Sequence, residues 1–322
     1  MFQLLTGKNP KWIYYLRNFL LQLVPKAFFV QWRKNLLKNL HLREDFEYIQ
    51  QRVDYYCKLQ QKQQLSKAIQ LSNFRLSKVK EGSVYFWDTI YYLKAFPSKF
   101  HFSSLFGDIV HVPEQASIVK SRPINLENEN SVLLKLDKVR HFIFLKDKIK
   151  FAAKKNILLF RGKIKDKSNR ELFFEQYFDH PRCDLGMIDK DLNHLPNAWR
   201  VPKLSLYKHL DYKFILALEG IDVASNLKWI MSTNSIAVMP KPTCETWFME
   251  ASLIPDHHYI EIKDDFSDLP EKIAYYLSQP ERCKAIIKNA NAYVAQFKNK
   301  KREHIISLLV MEKYFKYTNY SS

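Results

Sequence analysis

An aspartate directly after a glycine, arginines beyond an apolar run, and small polar residues at an expected helix start are the groups from which this 322-residue chain could build a site. In Phe106-Gly107-Asp108-Ile109-Val110-His111, Asp108 ends the apolar run 102–106. A carboxylate at a strand end can take a proton from a hydroxyl as general base. The same residues also suit a plain turn. Arg161-Gly162 follows Asn156–Phe160 (NILLF), and Arg170 comes shortly after. Arginines there can hold phosphate oxygens in bidentate fashion, although Lys163, Lys165 and Lys167 equally describe a solvated basic loop. The third stretch is Leu218-Glu219-Gly220-Ile221-Asp222-Val223-Ala224-Ser225-Asn226-Leu227-Lys228. It reads as a strand end, a glycine, and a helix beginning near Ala224, Ser225 and Asn226. Amide groups at a helix start, together with the helix dipole, favour an anion such as a diphosphate. An ordinary capped helix has the same pattern.

Other chemistries find few residues. The chain has neither GxGxxG nor GxxxxGK[ST], and no HExxH; a DxD tripeptide occurs once, at Asp189-Lys190-Asp191. Asp264-Asp265 lies in a polar stretch, and His257-His258 would point to opposite faces of a strand. Cys57, Cys183, Cys244 and Cys283 stand at least 39 residues apart, without a CxxC pair. They read as reduced thiols of a cytosolic protein, most simply as small buried hydrophobes. No metal and no cofactor is expected.

The elements that must position these groups change character along the chain. Residues 1 to about 80 read as helical, with Phe46, Ile49, Val53 and Tyr56 at helical spacing inside the polar segment 44–70. Residues 83–96 are an apolar stretch. From about 150, short apolar runs alternate with helical segments. Strands are expected at 156–160, 213–218, 235–239 and 258–262. Helices are expected at 170–178, 222–233, 244–252, 268–278 and 280–298. Such alternation predicts βαβ units and a parallel sheet. Of only 6 glycines, Gly107, Gly162 and Gly220 each follow a strand-like run. In open α/β sheets, ligands bind outside the carboxyl ends of the strands.

Composition narrows the partners. Lys plus Arg number 51 against 33 Asp plus Glu, a net charge of +18, and aromatics reach 15%. The length suits two domains of about 150 residues. Apolar content excludes disordered and collagen-like classes. Before the first acidic residue, Glu44, stand eight basic residues interleaved with Trp12, Tyr14, Tyr15, Phe19, Leu20, Leu23, Phe28, Phe29 and Trp32. Arg17, Asn18, Gln22, Pro25 and Lys26 break any run long enough to span a membrane. The segment therefore either packs as a helix pair or lies on an anionic membrane surface. A basic nucleic-acid-binding protein and a non-catalytic membrane-surface scaffold are the rival classes. No helix-turn-helix, RRM or zinc-finger pattern supports the first, so nucleic acid is not an expected partner.

The stretch 212–262, YKFILALEGIDVASNLKWIMSTNSIAVMPKPTCETWFMEASLIPDHHYIEI, resembles the donor-binding half of glycosyltransferase family 90. That family includes bacterial lipopolysaccharide A proteins, fungal capsule-associated transferases and animal protein O-glucosyltransferases. Phe160-Arg161-Gly162 followed by Arg170, and Phe106-Gly107-Asp108 before Ser121-Arg122-Pro123, match the same family in the same order. The resemblance covers roughly residues 100–297 and is nearest the bacterial lipopolysaccharide core transferases.

The resemblance implies an α/β fold of GT-B type, with two Rossmann-like domains facing a cleft. Residues 1–80 would be a helical basic region of the acceptor-side domain, completed by 81–150. Residues 151–297 would bind the nucleotide sugar, and a helix in 298–322 would cross back. It further implies an inverting, metal-independent transfer of glucose or galactose from UDP-glucose or UDP-galactose. The acceptor would be a heptose of the lipid A-core oligosaccharide, with a capsule or other glycan as the alternative. The protein would work in the cytoplasm, peripheral on the inner face of the inner membrane. In the animal members an aspartate whose position matches Asp108 is the base. An arginine matching Arg170 and the Ala224-Ser225-Asn226 turn meet the diphosphate, with Arg161, Gly162, Glu219, Gly220, Asp222 and Val223 alongside. Where animal members often carry an arginine this chain has Leu227, and Lys228 is expected to supply the charge instead.

Overall fold

The computed structural model of the protein describes residues 6–124, 127–164, 168–189 and 194–319. The described residues divide into two compact units, one drawn from 1–10, 140–242 and 251–296, the other from 11–139, 243–250 and 297–322.

The first unit is built on a five-stranded sheet in which every pairing is parallel. Its spatial order is Ile260–Glu261, Ile236–Met239, Tyr212–Leu216, Lys155–Gly162, Cys183–Met187. The central strands come from continuous apolar runs because a parallel sheet is covered on both faces. Helices Ser168–Tyr177, Leu269–Ser278 and Pro280–Ala295 do the covering. Phe173, Phe174, Ile273, Tyr276 and Ile286 share one buried core with Leu158, Phe160, Phe214, Leu216 and Val238. The chain begins this sheet at Lys155–Gly162, adds Cys183–Met187 on one side, then returns to place Tyr212–Leu216 on the other. The winding direction therefore reverses between Lys155–Gly162 and Tyr212–Leu216. A ligand crevice forms at such a reversal, outside the carboxyl ends of the two strands.

Three expected elements differ. The helix expected over 222–233 is a single turn, Leu227–Ile230. A longer amphipathic helix needs a polar face, and Lys228, Trp229, Ile230, Met231, Ser232 and Thr233 are all buried. The Ser232 and Thr233 hydroxyls also bond the carbonyls of Trp229 and Ile230, each at 2.7 Å, competing with helical propagation. The expected helix at 244–252 is instead a strand, Cys244–Thr246, antiparallel to Ser121–Pro123, and then a 3-10 turn, Glu250–Ser252. Its cause is tertiary: Glu245 accepts from buried Arg122 Nε at 2.8 Å. In 44–70 the helix stops at Tyr56, and beyond it Gln60, Gln61, Gln63 and Gln64 offer no apolar stripe to continue it.

The second unit holds helices Lys11–Leu23, Lys26–Leu37, Phe46–Tyr56, Ser83–Leu93 and Lys300–Thr318. Its three-stranded parallel sheet runs Ser104–Leu105, Ser117–Val119, Ser131–Leu133. The C-terminal helix is buried on more than one face, through Ile305, Ile306, Leu308, Met311 and Tyr314. A helix apolar on most sides belongs in the middle of its unit. It also buries Glu303, which accepts from Arg52 at 2.6 Å, Lys135 at 2.8 Å and Trp247 Nε1 at 2.7 Å. Burial alone would raise this carboxyl, but the Lys135 and Arg52 charges and the hydrogen bonds from Lys135 and Trp247 hold it below its ordinary range.

Candidate functional site

In the first unit the loops after Gly162 and after Leu216 leave the two strands that flank the winding reversal, and one side chain ties them together. Arg170, in the first turns of helix Ser168–Tyr177, donates Nη1–H to the Lys163 carbonyl at 2.7 Å. It donates Nη2–H to Leu218 O at 2.7 Å and Nε–H to Glu219 O at 3.2 Å. Asn169 adds a bond to Glu219 O at 3.3 Å. Burial lowers the Arg170 guanidinium to about 10, with the Asp189 charge opposing, so it stays a cation at neutral pH. Asp189 also accepts from the Ile164 amide at 2.6 Å. Three carbonyls and a fixed positive charge therefore gather at the carboxyl ends of these strands. Lys165 and Lys167 lie outside the described residues.

The loop 217–226 then folds back on its own strand, with Asn226 Nδ2 bonding Leu216 O at 2.9 Å. Ser225 is exposed, and Glu219, Gly220 and Asn226 are half-buried. Asp222, Val223, Ala224 and Lys228 are buried. The residues of this loop with surface open to a ligand are thus Glu219, Gly220, Ile221, Ser225 and Asn226. Lys228, expected to supply charge to a ligand, is fully buried. Because the helix that follows is one turn long, its dipole adds little, and the loop's own amides and the Arg170 charge carry the electrostatics.

Arg161 takes a different course. In register, Arg161 lies opposite Gly186, and Leu159 opposite Asp184. The Arg161 guanidinium runs back along the sheet to pair with Asp184 and donates to the carbonyls of Phe160 and Asp184, both at 2.8 Å. Tyr212 closes the group through its hydroxyl on Asp184 at 2.7 Å. Gly186 makes room for this: a Cβ there would lie 2.8 Å from Arg161 Cδ and 2.0 Å from Val201 Cγ2.

Asp108 belongs to the second unit. Gly107 has φ of 108°, a conformation that glycine adopts without strain. Ser121 pins Ile109, the residue after Asp108, accepting from Ile109 N at 3.2 Å and donating to Ile109 O at 3.1 Å. The partly exposed Asp108 carboxylate pairs with the Nζ of Lys120, a residue 1% exposed. Lys120 escaped sequence reasoning. Its only signal is a lysine between two short strands, two residues before Arg122. A partly exposed carboxylate held by a buried ammonium can accept a hydrogen bond from a hydroxyl.

Among the described residues, no group of three His, Cys, Asp or Glu side chains converges to hold a metal ion. His258 Nδ1 accepts from Ile254 N at 3.0 Å, and burial and the His257 charge lower its imidazole to about 4. None of the four cysteines is in a disulfide, and burial raises Cys57 and Cys283 to about 11 and Cys183 to about 12. Thiols so shifted are poor nucleophiles.

Two comparisons bear on this geometry. The sequence matches the glycosyl transferase family 90 pattern over residues 129–321. It is also 43% identical over 268 residues to a protein of Dichelobacter nodosus named O-glucosyltransferase LpsA, an alignment covering 83% of this chain and 82% of that one.

Proposed function

The chain belongs to glycosyltransferase family 90 and is a glycosyltransferase, and from that premise we propose that it moves a hexose from a UDP-sugar to a heptose of a lipopolysaccharide or lipooligosaccharide inner core. The observation that carries the donor half is the Arg170 clamp at the winding reversal of the parallel sheet. The diphosphate lies against the amides and side chains of Gly220, Ser225 and Asn226, beside the Arg170 charge. Of the two arginines, Arg170 is the one we set there, since Arg161 is committed to Asp184. The relative's name favours glucose over galactose.

The mechanism in this proposal is a single displacement with inversion. Asp108 accepts the proton of an acceptor hydroxyl as that oxygen attacks the anomeric carbon. The bond to the diphosphate oxygen breaks in the same step, through a state of oxocarbenium character. No metal takes part, so the leaving charge falls on Arg170 and the loop amides. A GT-B plan is part of the same reading, supported by a parallel sheet in each unit. A lipid-linked acceptor sets the work on the cytoplasmic face of the inner membrane. The test is mass and NMR analysis of lipooligosaccharide from a strain lacking this chain. Loss of one hexose at an inner-core heptose is the expected result, and an unchanged core would overturn the acceptor.

A further inference from the structure

Helix Lys11–Leu23 is packed on one side only. Tyr14 is 5% exposed, and its hydroxyl donates to Asp88 at 2.8 Å. Lys94 caps the far end, bonding the carbonyls of Leu21, Gln22 and Val24 at 3.0, 3.1 and 2.9 Å. The helix is thus held firmly, and what it shows on its other side is fixed. That side carries Trp12, Leu16, Phe19, Leu20 and Leu23, exposed by 66, 51, 57, 52 and 71%. At 3.6 residues per turn the five fall within an arc of roughly 100° whose centre lies roughly opposite Tyr14. Lys11 and Arg17 flank the arc, both exposed. Phe28, 59% exposed, adds a ring at the start of the next helix, and Lys34 in the last turn of that helix and Lys38 just beyond it are also exposed. Acidic residues are absent before Glu44.

A contiguous apolar stripe of this kind on a soluble surface marks something that covers it. We propose that its occupant is an anionic lipid bilayer. The helix lies along the interface, its apolar stripe in the head-group and acyl boundary and Lys11, Arg17, Lys34 and Lys38 against lipid phosphates. Charge decides between this and a second copy of the chain. A two-fold contact through the stripe would bring Lys11 and Arg17 of each copy against the same cations, with no acid nearby in sequence to offset them. The helix does not span: 13 residues rise only about 20 Å against a hydrocarbon core of about 30 Å. No helix among the described residues is long and apolar enough to cross a membrane. This docking needs no catalysis and stands apart from the donor and acceptor assignments.

The test uses the full chain with vesicles of phosphatidylcholine alone or with a quarter phosphatidylglycerol. The wild type is expected to sediment with the anionic vesicles, less so at high salt. Brominated lipids should quench a tryptophan signal that Trp12→Phe removes. The triple variant Leu16→Gln, Phe19→Gln, Leu23→Gln should lower partitioning by at least about tenfold. So should the reversal of Lys11, Arg17, Lys34 and Lys38 to glutamate. All these side chains are exposed, so UDP binding and the thermal midpoint serve as folding controls. Absence of wild-type binding, binding unmoved by both variants, or equal binding to neutral vesicles would overturn the proposal. So would a dimer dispersed by the triple variant in a protein that ignores vesicles.

Discussion

Replacing Arg170 with alanine removes one side chain that bonds three backbone carbonyls in two different loops; Lys163 O and Leu218 O lose this donor, while Glu219 O keeps its bond from Asn169. The first two, at 2.7 Å, are strong charge-assisted acceptors, and Leu218 is only 1% exposed. A hydrogen bond from a charged donor is worth about 1.5–3 kcal/mol, and a buried carbonyl left without a donor costs about 1–3 kcal/mol. These contributions overlap, so the expected loss is about 3 kcal/mol. At roughly 2–4 °C per kcal/mol for a unit of this size, the thermal midpoint should fall by roughly 6–12 °C. Arg170→Lys should recover little, because one ammonium cannot span three acceptors on two loops. The assay is calorimetric unfolding of both variants without ligand, followed by titration with UDP. Affinity for UDP should also fall by at least about tenfold, since a charge-assisted contact is lost as well. An unliganded midpoint within about 1 °C of wild type would refute the clamp. Unchanged UDP affinity in a folded variant would remove Arg170 from the donor site.

Two further outcomes follow from the same geometry. Ser225→Ala should leave the midpoint unchanged, because Ser225 is exposed, yet weaken UDP by about 0.5–1.5 kcal/mol in calorimetry; unaltered affinity would take the 219–226 loop out of the account. His304 sits among Trp32, Tyr91 and Tyr92, its Nδ1 3.1 Å from the Tyr92 hydroxyl, and burial, then the Lys138, Lys135 and Arg17 charges, lower it from 6.5 to about 4 with Glu303 opposing. A folded-state value below the unfolded one gives stability that is complete above pH 6.5 and lost as pH falls toward 4, here up to about 3 kcal/mol; His304→Phe should flatten the midpoint-versus-pH curve in that window, and an unaltered slope would contradict the assignment.

How far the sequence could be read depended on whether the signal was local. NILLF, YKFIL and IAVM stand out as strands because burial on both faces demands an unbroken apolar run. Cys183–Met187 does not, since Asp184 and Gly186 serve Arg161 and interrupt the pattern. The order of the strands, and so the winding reversal, is written in no periodicity. The turn at 227–230 reads as part of a long helix because its apolar residues keep helical spacing; only tertiary burial shows that it has no polar face. Asp108 is visible as a carboxylate after a glycine. Lys120 is not, because the pairing spans a turn of the chain with no motif of its own. The N-terminal helix is legible as amphipathic, but aromatics stand on both of its sides, and the structure alone tells that Tyr14 packs and Trp12 does not.

The most direct measurement mixes the purified chain with UDP-glucose and a heptose-terminated core oligosaccharide, with a chelator present, and follows the product by mass and NMR for wild type and Asp108→Asn. The account predicts one added hexose with inverted anomeric configuration. It predicts a loss of about 10²–10⁴-fold in the variant, with UDP affinity retained. No transfer from either UDP-glucose or UDP-galactose, or near wild-type transfer by Asp108→Asn, would contradict it.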